Sequence, residues 1–325
     1  MALSRAAAEL PEWVRGKVAE HGGDYALERP LRVFSEAPDF FDIAPYDIMH
    51  LAGRYYLIRG HEYEGRFGLE ETPKFWVKRA IDLETGDKKI LKFVFYESFT
   101  DHLGSVTIRY VRSPEKEARV LAAVKGHPHF MQGFPVIDSL GNNIRIIDRI
   151  AGKPLDHLVS GWNLTHEEYF HERLPQVLRD LVSACEAIGF LHRAGEKHGD
   201  IRRDHILVEN STGLYRWIDF DLDYFEPEHP FGVDIFGLGN VLLYVVGMGI
   251  YTVADLHRDR PEVFERLREE DTSLVLRHRV CNLRKIFPYV PEALNNILLH
   301  FSMGTDVFYD SVEELLHDLN DYLAR

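Results

Sequence analysis

The first half of the chain contains short runs in which apolar and polar residues alternate, the period of a half-buried β-strand. Between about residues 54 and 112 these runs are rich in β-branched and aromatic residues and are separated by polar turns such as "ETGDK". They are "RYYLIRG", "KFWVKRAIDL", "KKILKFVFY" and "SVTIRYV". "FPVID" and "IRIIDRI", joined by "SLGNN", predict a further hairpin. The pattern therefore predicts a small antiparallel sheet.

Helical spacing replaces this alternation elsewhere in the chain. Inside the sheet region, "SPEKEARVLAAVKG" has Ser113 as a helix cap and Pro114 at the first helical position. After Gly152 the apolar residues recur at helical spacing, most clearly in "LPQVLRDLVSACEAIGFLHRAG" and in the closing "SVEELLHDLNDYLAR". The opening residues also predict an amphipathic helix, which ends near Gly22.

These periodicities predict an α+β protein with two lobes. We expect an N-terminal extension over residues 1–50, a sheet lobe with one helix over residues 51–151, and a helical lobe over residues 152–325. The extension could dock on the sheet lobe, occupy a cleft as an inhibitor or recruit a partner. Its aromatic residues predict that it is buried somewhere, because so much aromatic surface is rarely left in water.

The charge of the chain narrows the possible partners. Its 325 residues include 38 basic and 52 acidic ones, for a net charge of −14. This charge repels phosphate backbones and anionic lipid surfaces, so we expect neither a nucleic acid nor a membrane as partner. No apolar run reaches the roughly 18 residues that span a bilayer, and the start lacks the apolar core of a signal peptide. Cys185 and Cys281 lie in apolar helical sequence, which predicts reduced core cysteines and a cytoplasmic location.

Candidate chemistry begins with "KHGDIRRDHILVENSTGLYRWIDFD", in which Asp200 and Asp219 lie in apolar surroundings. Either aspartate alone would fit an ordinary turn, but the segments around them follow a known order. These segments are "AIDLETGDKKILK", "EKEARVLAAVKGHPHF", "DRIAGKPLDHL", "FLHRAGEKHGD", "IDFD", "VDIFGLGNVLLY" and "VPEALNNILLHFSMGTDVFYDSVEELLHDLNDYL". Over residues 54–325 the chain resembles the protein kinase superfamily, which implies a bilobal protein kinase-like fold.

The resemblance also implies a role for each matching residue. Lys92 would hold nucleotide phosphates and pair with Glu117, because a buried lysine needs an acidic partner to stay charged. Asp200 would orient the acceptor hydroxyl and take its proton, and Asp219 would ligate Mg²⁺ on the phosphates. His198 is expected to be a packed core histidine. The nucleotide-binding residues that the resemblance implies are Lys92, Ile90, Asp148 and Ile150.

The stretch expected to cover the phosphates departs from the family. It is "EETPKF" at residues 70–75, which has no glycine and two glutamates. Glycine amides let such a loop approach phosphate closely, whereas carboxylates repel it. Gly65 and Gly68 are nearby but would require a longer hairpin. Ile90 also stands where the family usually has alanine. Other residues must therefore cover the phosphates, or the chain binds ATP weakly or not at all.

The expected metal site is altered as well. His205 stands where the family has asparagine, and an imidazole suits Mn²⁺ or Zn²⁺ better than Mg²⁺. Asp221 replaces the glycine after Phe220, and Asp204 precedes His205, so one of these carboxylates could supply the missing ligand. The expected metal ligands are Asp219, His205 and Asp221. The alternative is a degenerate site in which His205 and Asp204 are polar loop residues.

The segment from Asp219 to Asp234 is short for a phosphorylatable loop and a peptide platform. Phe308 replaces the arginine that would pair with the anchor glutamate of that loop, and no clear anchor is present. The joint absence of the arginine and the glutamate is consistent, because either charge would be costly to bury without its partner. Gly199 replaces the arginine that reads loop phosphorylation. We therefore expect that the chain is not switched by its own activation loop.

"HGD" and "IDFD" are shared with phosphotransferases of the aminoglycoside and choline type. Arg202 could clamp γ-phosphate oxygens as a planar fork, or it could be a solvent-facing loop arginine. We expect an atypical kinase that uses ATP with Mg²⁺ or Mn²⁺ and phosphorylates a hydroxyl of a protein Ser/Thr or a small molecule. The expected catalytic residues are Asp200, Arg202, Lys92 and Glu117. The alternative is a pseudokinase that binds nucleotide or acts as a scaffold.

Overall fold

The computed structural model describes residues 10–23, 30–37, 39–64, 72–104 and 106–325. The helices are α1 (Glu12–Gly22), α2 (Pro114–Ala123), α3 (Leu155–Ser160), α4 (His166–Glu172), α5 (Leu174–Arg193), α6 (Gly232–Gly247), α7 (Val253–Asp259), α8 (Pro261–Phe264), α9 (Glu292–Leu299) and α10 (Val312–Leu323). The strands are β1 (Val33–Phe34), β2 (Ile48–Leu51), β3 (Arg54–Glu64), β4 (Thr72–Asp82), β5 (Lys88–Lys92), β6 (Glu97–Leu103), β7 (Val106–Arg112), β8 (Gly133–Ile137), β9 (Asn143–Asp148), β10 (Gly152–Pro154), β11 (Ile206–Glu209), β12 (Tyr215–Trp217) and β13 (Leu222–Tyr224). The chain is α+β, as its sequence predicts.

The chain divides into two compact units. The first contains Met1–Tyr96, Ser113–Gly126 and Met131–Arg149, and the second contains Glu97–Arg112, His127–Phe130 and Ile150–Arg325. The domain bounds expected from the sequence stay a prediction.

The first unit is built on a sheet with strand order β1-β2-β3-β4-β5-β9-β8. Its neighbouring strands are antiparallel, except that β1 runs parallel to β2. Alternating side chains bury one apolar face, whose core includes Met49, Tyr56, Leu91 and Ile146. Helix α2 begins as its sequence predicts, because the Ser113 side chain accepts a hydrogen bond from the Lys116 backbone N–H.

The described part of the N-terminal extension packs on this sheet. Val14 and Val18 of α1 are fully buried, and full burial of such a side chain contributes about 2 kcal/mol. They cluster with Leu31, Ile48, Leu57 and Leu83. Strand β2 also pairs with β3. Of the three roles left open by the sequence, docking on the sheet is the one that these contacts support.

The second unit is mainly helical and is organised around α5 and α6. Every residue of α6 from Asp234 to Gly247 is buried except Asn240, which explains why the sequence of the helix is apolar at nearly every position. Helix α5 buries one apolar face and packs against α6 and α10. Two three-stranded sheets complete the unit, with orders β10-β11-β12 and β13-β7-β6.

The hairpin formed by β6 and β7 differs from the sequence-based expectation. The pattern assigns "SVTIRYV" to the N-terminal sheet lobe, whereas the structure groups Glu97–Arg112 with the second unit. The reason is strand pairing, since β7 lies between β6 and β13 and pairs Arg112 with Leu222 and Tyr110 with Tyr224. The hairpin is therefore attached to the segment that follows Asp219.

Within the parts of the chain that the structure describes, no helix is both long enough and apolar enough to cross a membrane.

Candidate active site

A buried ion triad lies in the first unit. Lys92 Nζ is 2.7 Å from one carboxylate oxygen of Glu117, and Arg145 Nε is 3.0 Å from the other. All three side chains are at most 5% exposed. One anion therefore lies between two cations, so the triad carries a net positive charge where solvent screening is weak. Such a charge suits an anionic ligand.

The strands fix this triad. Lys92 at the end of β5 pairs across the sheet with Arg145 on β9, so both side chains point to the same face. Glu117 reaches them from the buried side of α2. Arg145 also donates to the backbone carbonyls of Asn143 and Phe93, which locks its guanidinium in place. The predicted pairing of Lys92 with Glu117 is present, whereas the sequence reading missed Arg145. The signal for Arg145 was a single charge between isoleucines in "NIRIID".

The other expected nucleotide contacts are Ile90, Asp148 and Ile150. Ile90 is half-buried on β5, opposite Ile147 of β9. Asp148 is exposed and accepts a 2.5 Å hydrogen bond from Lys89. Ile150 is half-buried and belongs to the second unit. Their contact with a nucleotide stays a prediction.

The expected phosphate loop falls only partly on described residues. Glu70 and Glu71 lie outside them, as do Gly65 and Gly68. The remainder of the expected loop, residues 72–75, forms the start of strand β4. The described part of "EETPKF" is therefore paired strand and not loop.

In the second unit, Asp234 of α6 fixes the backbone that precedes Asp200. Its carboxylate accepts hydrogen bonds from the N–H groups of His198 and Gly199, at 2.7 and 2.8 Å, and contacts His192 Nε2 at 2.9 Å. Burial would raise the pKa of this carboxyl, but the hydrogen bonds and the His192 charge hold the pKa at about 2. Asp234 is thus an ionised anchor for the loop.

Two glycines let the chain reach this geometry. Gly199 has φ +86°, a left-handed conformation that favours glycine over any residue with a side chain. Gly237 lets α6 approach the loop closely. A Cβ atom on Gly237 would lie 2.7 Å from Cβ of Ile201 and 2.8 Å from its carbonyl oxygen. Both glycines therefore help to set the position of Asp200.

His205 lies between the two aspartates singled out by the sequence. Its Nδ1 is 2.8 Å from the carbonyl oxygen of Asp200 and 3.5 Å from the carboxylate of that residue. Because a carbonyl oxygen only accepts, Nδ1 carries a hydrogen. Nε2 is 3.7 Å from the carboxylate of Asp219. The structure therefore brings Asp200 and Asp219 to opposite sides of one buried imidazole.

The charges in this cluster act on Asp200. Burial raises the pKa of its carboxyl above the ordinary value, His205 and Arg202 oppose that shift, and Asp219 and Asp221 add to it. A carboxylate with a raised pKa is a stronger base than an exposed one, which suits proton transfer.

Asp219 is held in an uncommon conformation, with φ +62°. On one side, the Ile218 N–H donates to the His205 carbonyl oxygen at 3.0 Å. On the other side, Phe220 is fully buried among aromatic rings, with His198 at 6.0 Å and Phe130 at 6.2 Å between ring centroids. Aspartate tolerates a left-handed conformation better than most residues do. The neighbours of Asp219 therefore fix its direction.

His205 and Asp219 have a spacing that fits a divalent cation. Metal–ligand bonds of about 2.1 Å allow atoms 3.7 Å apart to share one ion at an open angle, so His205 Nε2 and an Asp219 oxygen fit. Asp221 is engaged differently, because Arg112 Nη1 lies 2.5 and 2.7 Å from its two oxygens. One oxygen of Asp221 also lies within 4.8 Å of an oxygen of Asp219, so its expected role as a metal ligand stays a prediction.

Arg202 has a partner close by. Its Nε and Nη2 donate to the two oxygens of Asp204 at 3.0 and 2.5 Å, while Asp200 is 4.0 Å from its Nη1. This bidentate pairing occupies much of the guanidinium fork. The expected γ-phosphate clamp would require Arg202 to leave Asp204 or to share itself with phosphate. Its role stays a prediction.

His198 matches its expected role. It is fully buried, accepts a hydrogen bond from the Asp200 N–H at 3.3 Å, and contacts the Trp217 ring at a centroid distance of 5.3 Å. A histidine packed in this way supports the loop that contains Asp200.

Comparison with known proteins identifies the fold. No protein-family model matches the chain. The liver/testis phosphorylase b kinase gamma catalytic chain is 26% identical over 146 residues in both Mus musculus and Rattus norvegicus, which is 44% of this chain. The match covers 33% of the length of these curated relatives, so the chain spans about a third of each.

Solved structures give a wider match. A single mutant of the Mycobacterium tuberculosis PknI kinase domain is 13% identical, with a TM-score of 0.50, and the match covers 85% of this chain and 97% of that chain. A double mutant is 14% identical, with a TM-score of 0.52 and coverage of 87% and 100%. The chain has the protein kinase-like fold that its sequence predicts. The fold and the weaker sequence similarity support a kinase-type function.

Proposed function

From the protein kinase-like fold, we propose that this chain transfers the γ-phosphate of ATP to a hydroxyl acceptor. The observation that carries the proposal is the convergence of Asp200 and Asp219 on one buried imidazole, His205, within the second unit. A lone turn aspartate needs no such arrangement. Phosphoryl transfer needs both a carboxylate that accepts a proton and a carboxylate that holds a cation.

In this proposal each carboxylate has one task. Asp200 orients the acceptor hydroxyl and accepts its proton, and Asp234 and Gly237 position its loop. Asp219 and His205 hold the divalent cation. When bound, that cation offsets the charge that develops on the phosphates. The imidazole ligand favours Mn²⁺ over Mg²⁺, although either ion can serve.

The first unit supplies positive charge for the phosphates. Arg145 is tied to two backbone carbonyls as well as to Glu117, which leaves its guanidinium little freedom to follow a ligand. We therefore assign Lys92 to the phosphates, and Glu117 and Arg145 to its support. Ile90, Asp148 and Ile150 remain the proposed contacts with the rest of the nucleotide.

The acceptor is a hydroxyl of a protein Ser/Thr or of a small molecule. The short segment between Asp219 and Asp234 disfavours docking of an extended peptide, so a compact acceptor is preferred. We also propose a cytoplasmic location, supported by Cys185 and Cys281, which are both free thiols in the core.

A pseudokinase is the second candidate, and one observation favours it. Arg202 is bound by Asp204 at both ends of its fork, so the charge expected on the γ-phosphate is already neutralised in part. A chain that binds nucleotide without transferring phosphate could keep this pairing permanently.

Two measurements separate the candidates. We expect a metal-dependent thermal shift with ATP that Lys92→Met abolishes and that Lys88→Met, an exposed control on the same strand, retains. We also expect label from γ-labelled ATP to reach an acceptor or water in the wild-type protein and not in Asp200→Ala. Binding without turnover under Mg²⁺ and Mn²⁺ would support the pseudokinase, and the absence of both signals would refute nucleotide function.

A further inference from the structure

The hairpin β6–β7 holds the segment that follows Asp219. Strand β7 is the centre of its three-stranded sheet, with β6 on one side and β13 on the other. The register pairs Leu222 with Arg112, Asp223 with Val111 and Tyr224 with Tyr110. The residues directly after the proposed cation ligand are therefore strand-paired, although in sequence they lie more than a hundred positions from their partner.

A buried ion pair joins the same elements. Arg112 and Asp221 are only 4% and 2% exposed, and both carboxylate oxygens are within hydrogen-bond distance of the guanidinium. An arginine guanidinium is always protonated in proteins, so this contact joins opposite charges. Glu97 on β6 adds a weaker contact, at 3.4 Å from Arg112 Nε. The guanidinium is thus firmly charged at the junction of three strands.

A small apolar core packs the hairpin against β13. Ile108 and Tyr110 of β7 are buried with Tyr224 of β13, and Phe99 of β6 stacks on Tyr110 at a centroid distance of 5.1 Å. Lys197, just before the catalytic loop, lies 4.1 Å from the Tyr224 ring and donates to the Tyr224 carbonyl. The hairpin, the segment after Asp219 and the loop before Asp200 therefore form one connected cluster.

We propose that this hairpin is a permanent latch on the segment after Asp219, and that Arg112 is a positioning residue that directs Asp219 by gripping Asp221. The inference rests on the proposed function, because it concerns how the cation-binding aspartate is held. It also explains how the segment stays ordered in a chain where Gly199 replaces a phosphate-reading arginine. Covalent phosphorylation of the segment is then unnecessary for activity.

The latch is tested first without any activity measurement. Amide hydrogen exchange of residues 219–225 is compared in the wild type, Arg112→Ala, Arg112→Lys and the control Arg109→Ala. Arg109 is an exposed residue of the same strand. We expect the amide exchange rates of these residues to rise about tenfold or more in Arg112→Ala, because local opening of the segment then breaks fewer contacts. Arg109→Ala should match the wild type. Unchanged protection in Arg112→Ala would overturn the latch.

The second arm measures positioning. In Arg112→Ala we expect the metal concentration that gives half-maximal turnover to rise about tenfold or more, as for other residues that orient a metal ligand, while the KM for acceptor stays constant. Arg112→Lys keeps the positive charge but not the planar guanidinium. Its metal dependence should therefore lie between those of the wild type and Arg112→Ala. A loss of kcat alone, with metal dependence unchanged, would contradict positioning.

Further controls keep the outcomes distinct. If Arg112→Ala does not fold, the hydrogen-exchange and metal-dependence experiments are done with Arg112→Lys and Asp221→Asn. Each of these variants should raise the amide exchange of residues 222–224. Phosphatase treatment of the wild-type protein should leave turnover unchanged, and loss of turnover after treatment would overturn the permanent latch. If the wild type transfers no phosphate, the proposed function fails, while hydrogen exchange still decides whether Arg112 holds the segment.

Discussion

The buried triad predicts an unusual asymmetry between two substitutions. Glu117 is the single anion between Lys92 and Arg145. Changing Glu117 to Gln removes the negative charge that both buried cations contact. Changing Lys92 to Met leaves a one-to-one pair, because Arg145 stays 3.0 Å from Glu117. The residue expected to contact the nucleotide should therefore matter less for stability than its partner does.

The magnitudes follow from burial. Removing one partner of a buried ion pair costs about 3–5 kcal/mol, and Glu117→Gln breaks two such contacts, so we expect a loss of at least that size. Lys92→Met loses the charged hydrogen bond to Glu117 and gains an apolar side chain, which should cost about 1–2 kcal/mol. Lys89→Met, which removes a pair with the exposed Asp148, should cost less than about 1 kcal/mol.

Urea unfolding followed by tryptophan fluorescence and far-ultraviolet circular dichroism measures these losses. A double variant, Glu117→Gln with Arg145→Met, should recover part of the stability, because it also removes one of the two cations that contacted Glu117. The reasoning is refuted if Lys92→Met costs as much as Glu117→Gln. It is also refuted if the double variant is no more stable than Glu117→Gln.

Three further predictions concern the second unit. Because the pKa of Asp234 is lowered to about 2, its ionised form stabilises the fold above about pH 4; the stability advantage over Asp234→Asn should shrink by roughly 2 kcal/mol in acid unfolding titrations from pH 5 to 2. A constant difference would contradict the anchor. Gly237→Ala should cost about 1–3 kcal/mol in urea unfolding and lower turnover, whereas Gly249→Ala, with open space around it, should do neither. Equal effects would show that Gly237 is not a contact point. His205→Asn should raise turnover with Mg²⁺ relative to Mn²⁺ by roughly tenfold, and an unchanged ratio would exclude His205 as a ligand.

Local motifs predicted much of the fold and part of the site. Alternating and helical periodicities predicted the strands of the first unit and the long helices of the second, because each period matches the face that an element buries. The order of short motifs predicted that Lys92 pairs with Glu117, and it singled out Asp200 and Asp219, which the structure places on opposite sides of His205. In each case the signal lies within a few residues of the side chain concerned.

What the sequence did not predict depends on distant pairing. Arg112 and Asp221 are 109 positions apart, and neither has a neighbour that marks the pair. Apolar and polar residues alternate along β7 as they do along a strand of the first sheet. This pattern therefore cannot reveal that β13 is its partner. Arg145 is a similar case, because only the cross-strand register brings it to Lys92 and Glu117.

The most direct test of the central claim is a single-turnover reaction with γ-labelled ATP and Mn²⁺, repeated with Mg²⁺. Wild-type protein, Asp200→Ala and Asp219→Ala are compared with the exposed-strand variant Arg109→Ala. The account predicts label on an acceptor or released as phosphate in the wild type and in Arg109→Ala, and its loss in both aspartate variants, with ATP still bound by Asp200→Ala. Equal label transfer by Asp200→Ala, or none by the wild type with either metal, would contradict it.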